Sequence, residues 1–214
     1  MKFYNNVLEA IGNTPLIKLN KVIDKKNVTV FAKLEYINPG GSVKDRIGVK
    51  MIDEAEKKGL IKPGATIVEP TSGNTGVGLA QVAAVRGYKA IFVMPEKMSK
   101  EKELLLRAYG ADVIRTPTNV GPEDPRSNYK VAERIASETK NSFRPNQYEN
   151  EYNPMAHFES TGPEIWRDTD GKITHFVACI GTGGTISGTG RFLKSKGKGV
   201  KIVGFKFHAF HQYV

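Results

Sequence analysis

The chain has 214 residues, 39% of them hydrophobic, and reads as a globular protein of one large or two small domains. No run approaches a membrane span, and Met1 to Asn6 lacks the apolar core of a secretory signal, so no membrane is expected and the cytoplasm is the expected compartment. The single Cys179 excludes an internal disulfide; within the apolar run Phe176 to Ile180 it is expected to be a small buried thiol rather than a nucleophile. A net charge of +10 suggests nucleic acid at first sight, but its distribution argues otherwise: seven Lys or Arg and no acidic residue lie between Gly171 and Val214. Phe205, Phe207, Phe210 and Tyr213 would offer stacking surfaces there. No nucleic-acid motif accompanies them, however, and Val200 to Phe205 reads as a core strand, so no nucleic-acid partner is expected.

In chain order the patterning predicts a strand at Val28 to Glu35, a helix at Val43 to Lys58, a strand at Thr66 to Glu69 and a helix at Thr75 to Arg86. There follow a strand at Ala90 to Met94, a helix at Ser99 to Tyr109, a strand at Ala111 to Arg115, and helices at Asn128 to Thr139 and Pro154 to Trp166. A strand at Thr174 to Ile180, a helix at Thr185 to Lys196 and a strand at Lys201 to Phe205 close the series. Thr116 to Ser127, with Pro117, Gly121, Pro122 and Pro125, is the longest expected loop. The alternation implies βαβ units and a mostly parallel, helix-covered sheet, whose ligands bind beyond the carboxyl ends of the strands.

Lys44 stands where a lysine is unexpected. Ser42 and Asp45 have the spacing of a capping box, and Gly59 closes the helix. Steps of three and four from Lys44 lead to Gly48, Met51, Ile52 and Ala55, while Arg46, Lys50, Asp53, Glu54 and Lys57 fall on the other side. Lys44 therefore heads an apolar stripe in the first helical turn, where desolvation and the helix dipole both disfavour its ammonium form. An amine held neutral is a nucleophile; the alternative is a lysine that snorkels from the stripe into water.

Two strand-to-helix turns carry further chemistry. Gly181-Thr182-Gly183-Gly184-Thr185 follows an apolar strand and opens a helix; its glycines, unpaired amides and hydroxyls suit a phosphate, whereas glycines serving only a tight turn would leave the threonines unexplained. It is not the dinucleotide fingerprint, since Ile186 occupies the third glycine position and Lys206 stands where an acidic ribose ligand belongs. Thr71-Ser72-Gly73-Asn74-Thr75-Gly76 gathers hydroxyls, an amide and backbone donors at another helix start, which suits a carboxylate; N-capping accounts for one of Thr71, Ser72 and Asn74 but not all three. A neutral lysine, a phosphate cradle and a carboxylate site together describe a Schiff-base enzyme with a phosphorylated aldehyde cofactor, and pyridoxal 5′-phosphate meets all three demands.

On the motifs Gly40 to Arg46, Thr71 to Gly76 and Gly181 to Thr185, in that order, the chain from Asn5 to Gly204 resembles the fold-type II pyridoxal-phosphate enzymes of the cysteine synthase and cystathionine β-synthase group. The resemblance implies an α/β fold of two three-layer domains with mostly parallel sheets, like the tryptophan synthase β-subunit. One is a small mobile domain near residues 37–148 that carries the carboxylate loop; the other is a larger cofactor domain from 1–36 and 149–214. It implies that Lys44 bonds the cofactor, Asn74 meets its ring hydroxyl, Gly181, Thr182, Gly183, Gly184 and Thr185 hold its phosphate, and Thr71, Ser72, Thr75 and Gln147 bind the substrate carboxylate. Met94-Pro95-Glu96-Lys97-Met98-Ser99 and the stretch from Thr116 to Tyr129 look more like cystathionine β-synthase, since cysteine synthases usually carry threonine where Lys97 stands. The implied reaction is β-replacement on serine or O-acetylserine by a thiol or sulfide, in a homodimer, with cysteine synthase as the alternative activity.

After Gly204 the resemblance calls for an acidic continuation, whereas Phe205 to Val214 follows. The larger domain is accordingly read as incomplete and the chain as C-terminally truncated, without the partner of the pyridine nitrogen, a haem-binding extension or a regulatory module. Such a chain is expected to be marginally stable and weakly active alone, or a non-catalytic relative acting only by association. His208 and His211 have a spacing that would suit a metal, yet in an unmatched tail they read as incidental, and no metal is expected.

Overall fold

The computed structural model describes residues 1, 3–21, 27–197 and 199–205, so the tail histidines and Phe207, Phe210 and Tyr213 lie outside the described residues. Its regular elements begin with β1 (Leu16–Lys18), β2 (Phe31–Lys33), α1 (Lys44–Lys57), β3 (Thr66–Pro70), α2 (Asn74–Arg86) and β4 (Lys89–Pro95). They continue with α3 (Lys100–Ala108), β5 (Asp112–Thr116), α4 (Asn128–Glu138) and β6 (Ser142–Phe143). Then come α5 (Tyr152–Ala156), a π-helical turn (His157–Thr161), α6 (Gly162–Asp168), β7 (His175–Cys179), α7 (Gly184–Ser195) and β8 (Lys201–Phe205). The chain divides into two compact units, residues 1–14 with 34–152 and residues 15–33 with 153–214.

In the first unit a parallel four-stranded sheet has the order β5-β4-β3-β6. Thr66-Ile67-Val68-Glu69-Pro70 is buried at every position, the pattern of an inner strand covered on both faces rather than one half exposed to water. Val68 and Val93 pack against Val131 and Ala132 of α4, with Ile91 and Ile135 beside them. The helices α1 and α2 cross in close contact. A Cβ on Gly48 would lie 2.6 Å from the Gly78 carbonyl carbon, and one on Gly78 would lie 2.6 Å from the Lys44 carbonyl oxygen, so the crossing brings backbone against backbone. Helix α1 stops as its sequence requires: Gly59 takes φ +68° and Leu60 N–H donates to the Ala55 carbonyl.

In the second unit β1 and β2 pair antiparallel, β7 and β8 pair parallel, and Ile165, Leu193 and Val200 form the buried core with Trp166, Phe176, Phe192 and Ile202 against them. Lys33 on β2 and Glu164 on α6 form a largely buried ion pair at 2.9 Å.

Several expectations are corrected. The strand expected over 28–35 shrinks to β2, because Glu35 opens a 3-10 turn, and its partner β1 carried too short a pattern to be read. The capping box is not formed: Ser42 Oγ accepts from Lys44 N–H, and the Asp45 carboxylate takes the Gly40 N–H instead. Arg46, expected on the solvent face, is 4% exposed, because Glu35 binds its guanidinium through two nitrogens at 2.8 Å. Cys179 is exposed rather than buried, and Lys201 to Phe205 is not a core strand: β7 and β8 pair only with each other among the described residues, and Val177, Val203 and Phe205 face outward. The helix expected over 154–166 is interrupted by the π turn, where the Gly162 N–H bonds the His157 carbonyl.

Adding one methyl group at the helix crossing tests its tightness. Gly78→Ala should lower the urea-unfolding free energy by about 1–3 kcal/mol, the usual cost of overpacking; an unchanged value would mean that the helices separate freely.

Candidate active site

The site residues are distributed over both units. Lys44, Thr71, Ser72, Asn74, Thr75 and Gln147 belong to the first, and Gly181 to Thr185 to the second.

Lys44 is the first residue of α1, half-buried, and its desolvation lowers the ammonium pKa below the usual lysine range. The stripe it heads is buried as expected at Gly48, Met51, Ile52 and Ala55. Behind it lies a polar clamp that sequence periodicity did not reveal. Arg46 holds Glu35 at 2.8 Å and Thr14 Oγ1 at 3.2 Å, Thr14 Oγ1 donates to Glu35 at 2.7 Å, and Asn38 Nδ2 donates to the Ser42 carbonyl at 3.1 Å. Burial alone would raise the Glu35 pKa, but the bonds from Arg46, Thr14 and Asn38 outweigh it and hold the carboxyl below the ordinary range. No sequence signal announced this clamp, because Arg46 falls on the side opposite the apolar stripe, where a cation is ordinary.

The Thr71 to Gly76 turn separates into holding groups and presented groups. Thr71 Oγ1 accepts from Gly73 N–H at 3.0 Å and Gly76 N–H at 3.1 Å, so its hydroxyl shapes the turn. Gly73 takes φ +129°, a conformation that favours glycine, and lies against the Lys102 side chain. Thr75 is buried and donates to Gln147 Oε1 at 2.6 Å, which joins two expected site residues that are 72 positions apart in sequence. Ser72 and Asn74 are exposed at the start of α2.

Glu69, which the sequence reading passed over, lies one residue before the end of β3 and is 1% exposed. Its Oε2 accepts from Asn146 N–H at 2.8 Å and its Oε1 from Gln147 N–H at 2.9 Å. Desolvation pushes its pKa up to about 7, against the opposing pull of these two amides and Arg144.

In the second unit, Gly183 takes φ +84° as the residue before α7, Thr182 Oγ1 accepts from the Gly184 N–H at 3.4 Å, and open space surrounds the Cβ position of Gly181. Thr182 Oγ1 accepts from Asn153 Nδ2 at 2.9 Å. Thr185 Oγ1 meets His157 Nε2 at 3.2 Å, while His157 Nδ1 meets Thr161 Oγ1 at 2.9 Å. The π turn therefore places a fully buried imidazole against the last residue of the glycine loop. A twelve-residue helix behind a glycine turn presents first-turn amide donors that suit a phosphate, and in the first unit the desolvated amine of Lys44 suits an aldehyde, so each residue set by itself fits one end of a phosphorylated aldehyde. Among the described residues, no group of three or more His, Cys, Asp or Glu is placed to hold a metal ion, and no helix is long and apolar enough to cross a membrane.

The Glu69 shift makes stability depend on pH. The unfolded chain releases this proton near pH 4.5, but the folded chain holds it until about 7, so raising the pH through that window favours unfolding. The urea midpoint should fall between those values in the wild type. It should fall less in Glu69→Gln, and an identical slope in the variant would assign the dependence to other groups.

Comparison with known proteins agrees with this geometry. The pyridoxal-phosphate dependent enzyme family matches residues 7–213. Cystathionine beta-synthase of Apis mellifera is 54% identical over 204 residues, covering 94% of this chain and 40% of that protein. Cysteine synthase of Staphylococcus aureus is 51% identical over 200 residues, covering 93% of this chain and 63% of that protein. Among solved structures, a hydrogen sulfide-producing enzyme from Fusobacterium nucleatum superposes with a TM-score of 0.88 at 46% identity, covering 95% of this chain and 66% of the other. An O-acetylserine dependent cystathionine beta-synthase from Helicobacter pylori gives 0.86 at 42%, with the same coverage. The chain thus spans about two fifths to two thirds of the length of these relatives. The family match over residues 7–213 places the chain among the pyridoxal-phosphate dependent enzymes.

Proposed function

We propose that this chain performs β-replacement on serine or an O-activated serine, with homocysteine as the incoming thiol and cystathionine as the product. The observation that carries the reading is the desolvated amine of Lys44 at the head of an apolar helix face, with a carboxylate-type turn at the start of the helix that crosses it. Bound pyridoxal phosphate supplies an electron sink for negative charge at the substrate Cα. Lys44 Nζ would hold the cofactor through its aldehyde carbon and would take the α-proton as a general base, a role that desolvation of its amine favours. Asn74 would receive the cofactor's ring hydroxyl, and the amides and hydroxyls from Gly181 to Thr185 would receive its phosphate. Thr71, Ser72, Thr75 and Gln147 form the carboxylate subsite, with Thr71 shaping it from within. The small domain near residues 37–148 is the moving part, and the working assembly is a cytoplasmic homodimer.

The choice of homocysteine is supported by the Met94 to Ser99 run and by 54% identity to a cystathionine beta-synthase. The 51% identity to a cysteine synthase supports the second reading, in which sulfide is the acceptor. Chromatographic product analysis with O-acetylserine and equal homocysteine and sulfide separates them. Mainly cystathionine is expected, mainly cysteine favours the second reading, and cofactor binding with neither product favours a non-catalytic relative.

Two experiments test the residue roles. Borohydride reduction of the loaded chain followed by peptide mapping should place the pyridoxyl group on Lys44; label spread over surface lysines would remove that residue from its role. Gly183→Asp puts a charge and a side chain at a residue of φ +84° where a dianion must approach, and should weaken cofactor binding at least tenfold by fluorescence titration. Unchanged affinity would show that this loop does not hold the phosphate.

A further inference from the structure

We infer that Glu69 is a positioning residue for the carboxylate end of an amino-acid substrate, acting through Gln147; the inference rests on the proposed reading of Thr71 to Thr75 and Gln147 as the carboxylate subsite. The two oxygens of Glu69 each take one of two consecutive backbone N–H groups, those of Asn146 and Gln147. Asn146 sits at φ +51°, a left-handed conformation that asparagine tolerates, and the turn presents its N–H and that of Gln147 side by side. A buried carboxylate accepts from both donors, and a glutamine could not, because it would offer one acceptor and turn an NH2 group toward the other N–H. With the backbone of Gln147 fixed, its Oε1 accepts the Thr75 hydroxyl at 2.6 Å, which leaves Nε2 as the donor end of the amide. Glu69, Gln147 and Thr75 therefore form one continuous relay from the carboxyl end of β3 to the start of α2, and the relay fixes the direction of a side-chain donor in the subsite. Keeping a carboxylate at 1% exposure is costly, and a turn serving only packing is satisfied more cheaply by neutral acceptors.

The test is run above the Glu69 pKa of about 7, where its side chain is a carboxylate, on the full chain loaded with pyridoxal phosphate and with two probes: L-alanine, which lacks a leaving group, and L-alaninamide, which also lacks the carboxylate. Calorimetry should show wild type preferring alanine. Glu69→Gln should weaken alanine about tenfold, the loss of roughly one net hydrogen bond, while the affinities for alaninamide and for the cofactor stay within twofold. In a Gln147→Ala background the same substitution should cost nothing further. Equal weakening of both probes would make Glu69 merely structural and overturn the inference. No preference for alanine in the wild type would overturn the carboxylate reading beneath it, and the inference with it. Should Glu69→Gln fail to fold, hydrogen exchange in the wild type decides: the Asn146 and Gln147 amides should exchange more slowly with alanine bound than with alaninamide bound, and equal exchange overturns the proposal.

Discussion

The backbone contact between α1 and α2 at Gly48 and Gly78 is the constraint on which the first unit is built. Side chains normally hold helices 8–10 Å apart, and only paired glycines allow carbonyls to pack against the neighbouring helix. The Lys44 carbonyl is itself one of the atoms in contact, so the position of the reactive lysine is set by the crossing and not by its own side chain. The same crossing carries α2, whose first residue is Asn74. Lysine and carboxylate turn are thus held by one piece of packing. The apolar residues below Lys44 remove water from its amine, and its chemistry follows from that burial.

Around this packing the protein spends its buried polar groups on holding turns. Glu69 fixes the 146–147 turn, Arg46 and Glu35 clamp the chain ahead of α1, and His157 meets Thr185 from the π turn. Each is a case where burial is opposed by hydrogen bonds. In Glu35 the bonds prevail and the pKa falls; in Glu69 desolvation prevails and the pKa rises to about 7. The difference lies in the partners: Glu35 faces a guanidinium, whereas Glu69 faces neutral amides with Arg144 as a weaker influence. Breaking a buried ion pair such as Arg46 with Glu35 typically costs about 3–5 kcal/mol, because it strands the remaining charge.

Much of this was legible in the sequence, because periodicity and punctuation are local. The sheet strands from β3 to β5, the limits of α1 to α4 and the glycine turn before α7 follow from apolar runs closed by glycine, and the buried stripe below Lys44 follows from steps of three and four. What was not legible depends on partners distant in the chain. Thr75 and Gln147, or Glu69 and Asn146, lie more than seventy residues apart, and no pattern near either one announces the bond. Cys179 was misread because an apolar run says that a strand exists, not that both its faces are covered. Arg46 was misread because a helical wheel has only two sides, whereas α1 is enclosed on more of its circumference by Thr14 and Glu35.

The central claim is that packing around α1 desolvates the Lys44 amine and lowers its pKa. Its most direct test is a titration of the lysine ε-carbons by NMR in the cofactor-free chain, with Lys44 assigned from the Lys44→Arg spectrum. The account predicts a Lys44 pKa below the usual lysine range. A Lys44 that titrates within or above the usual lysine range would contradict it.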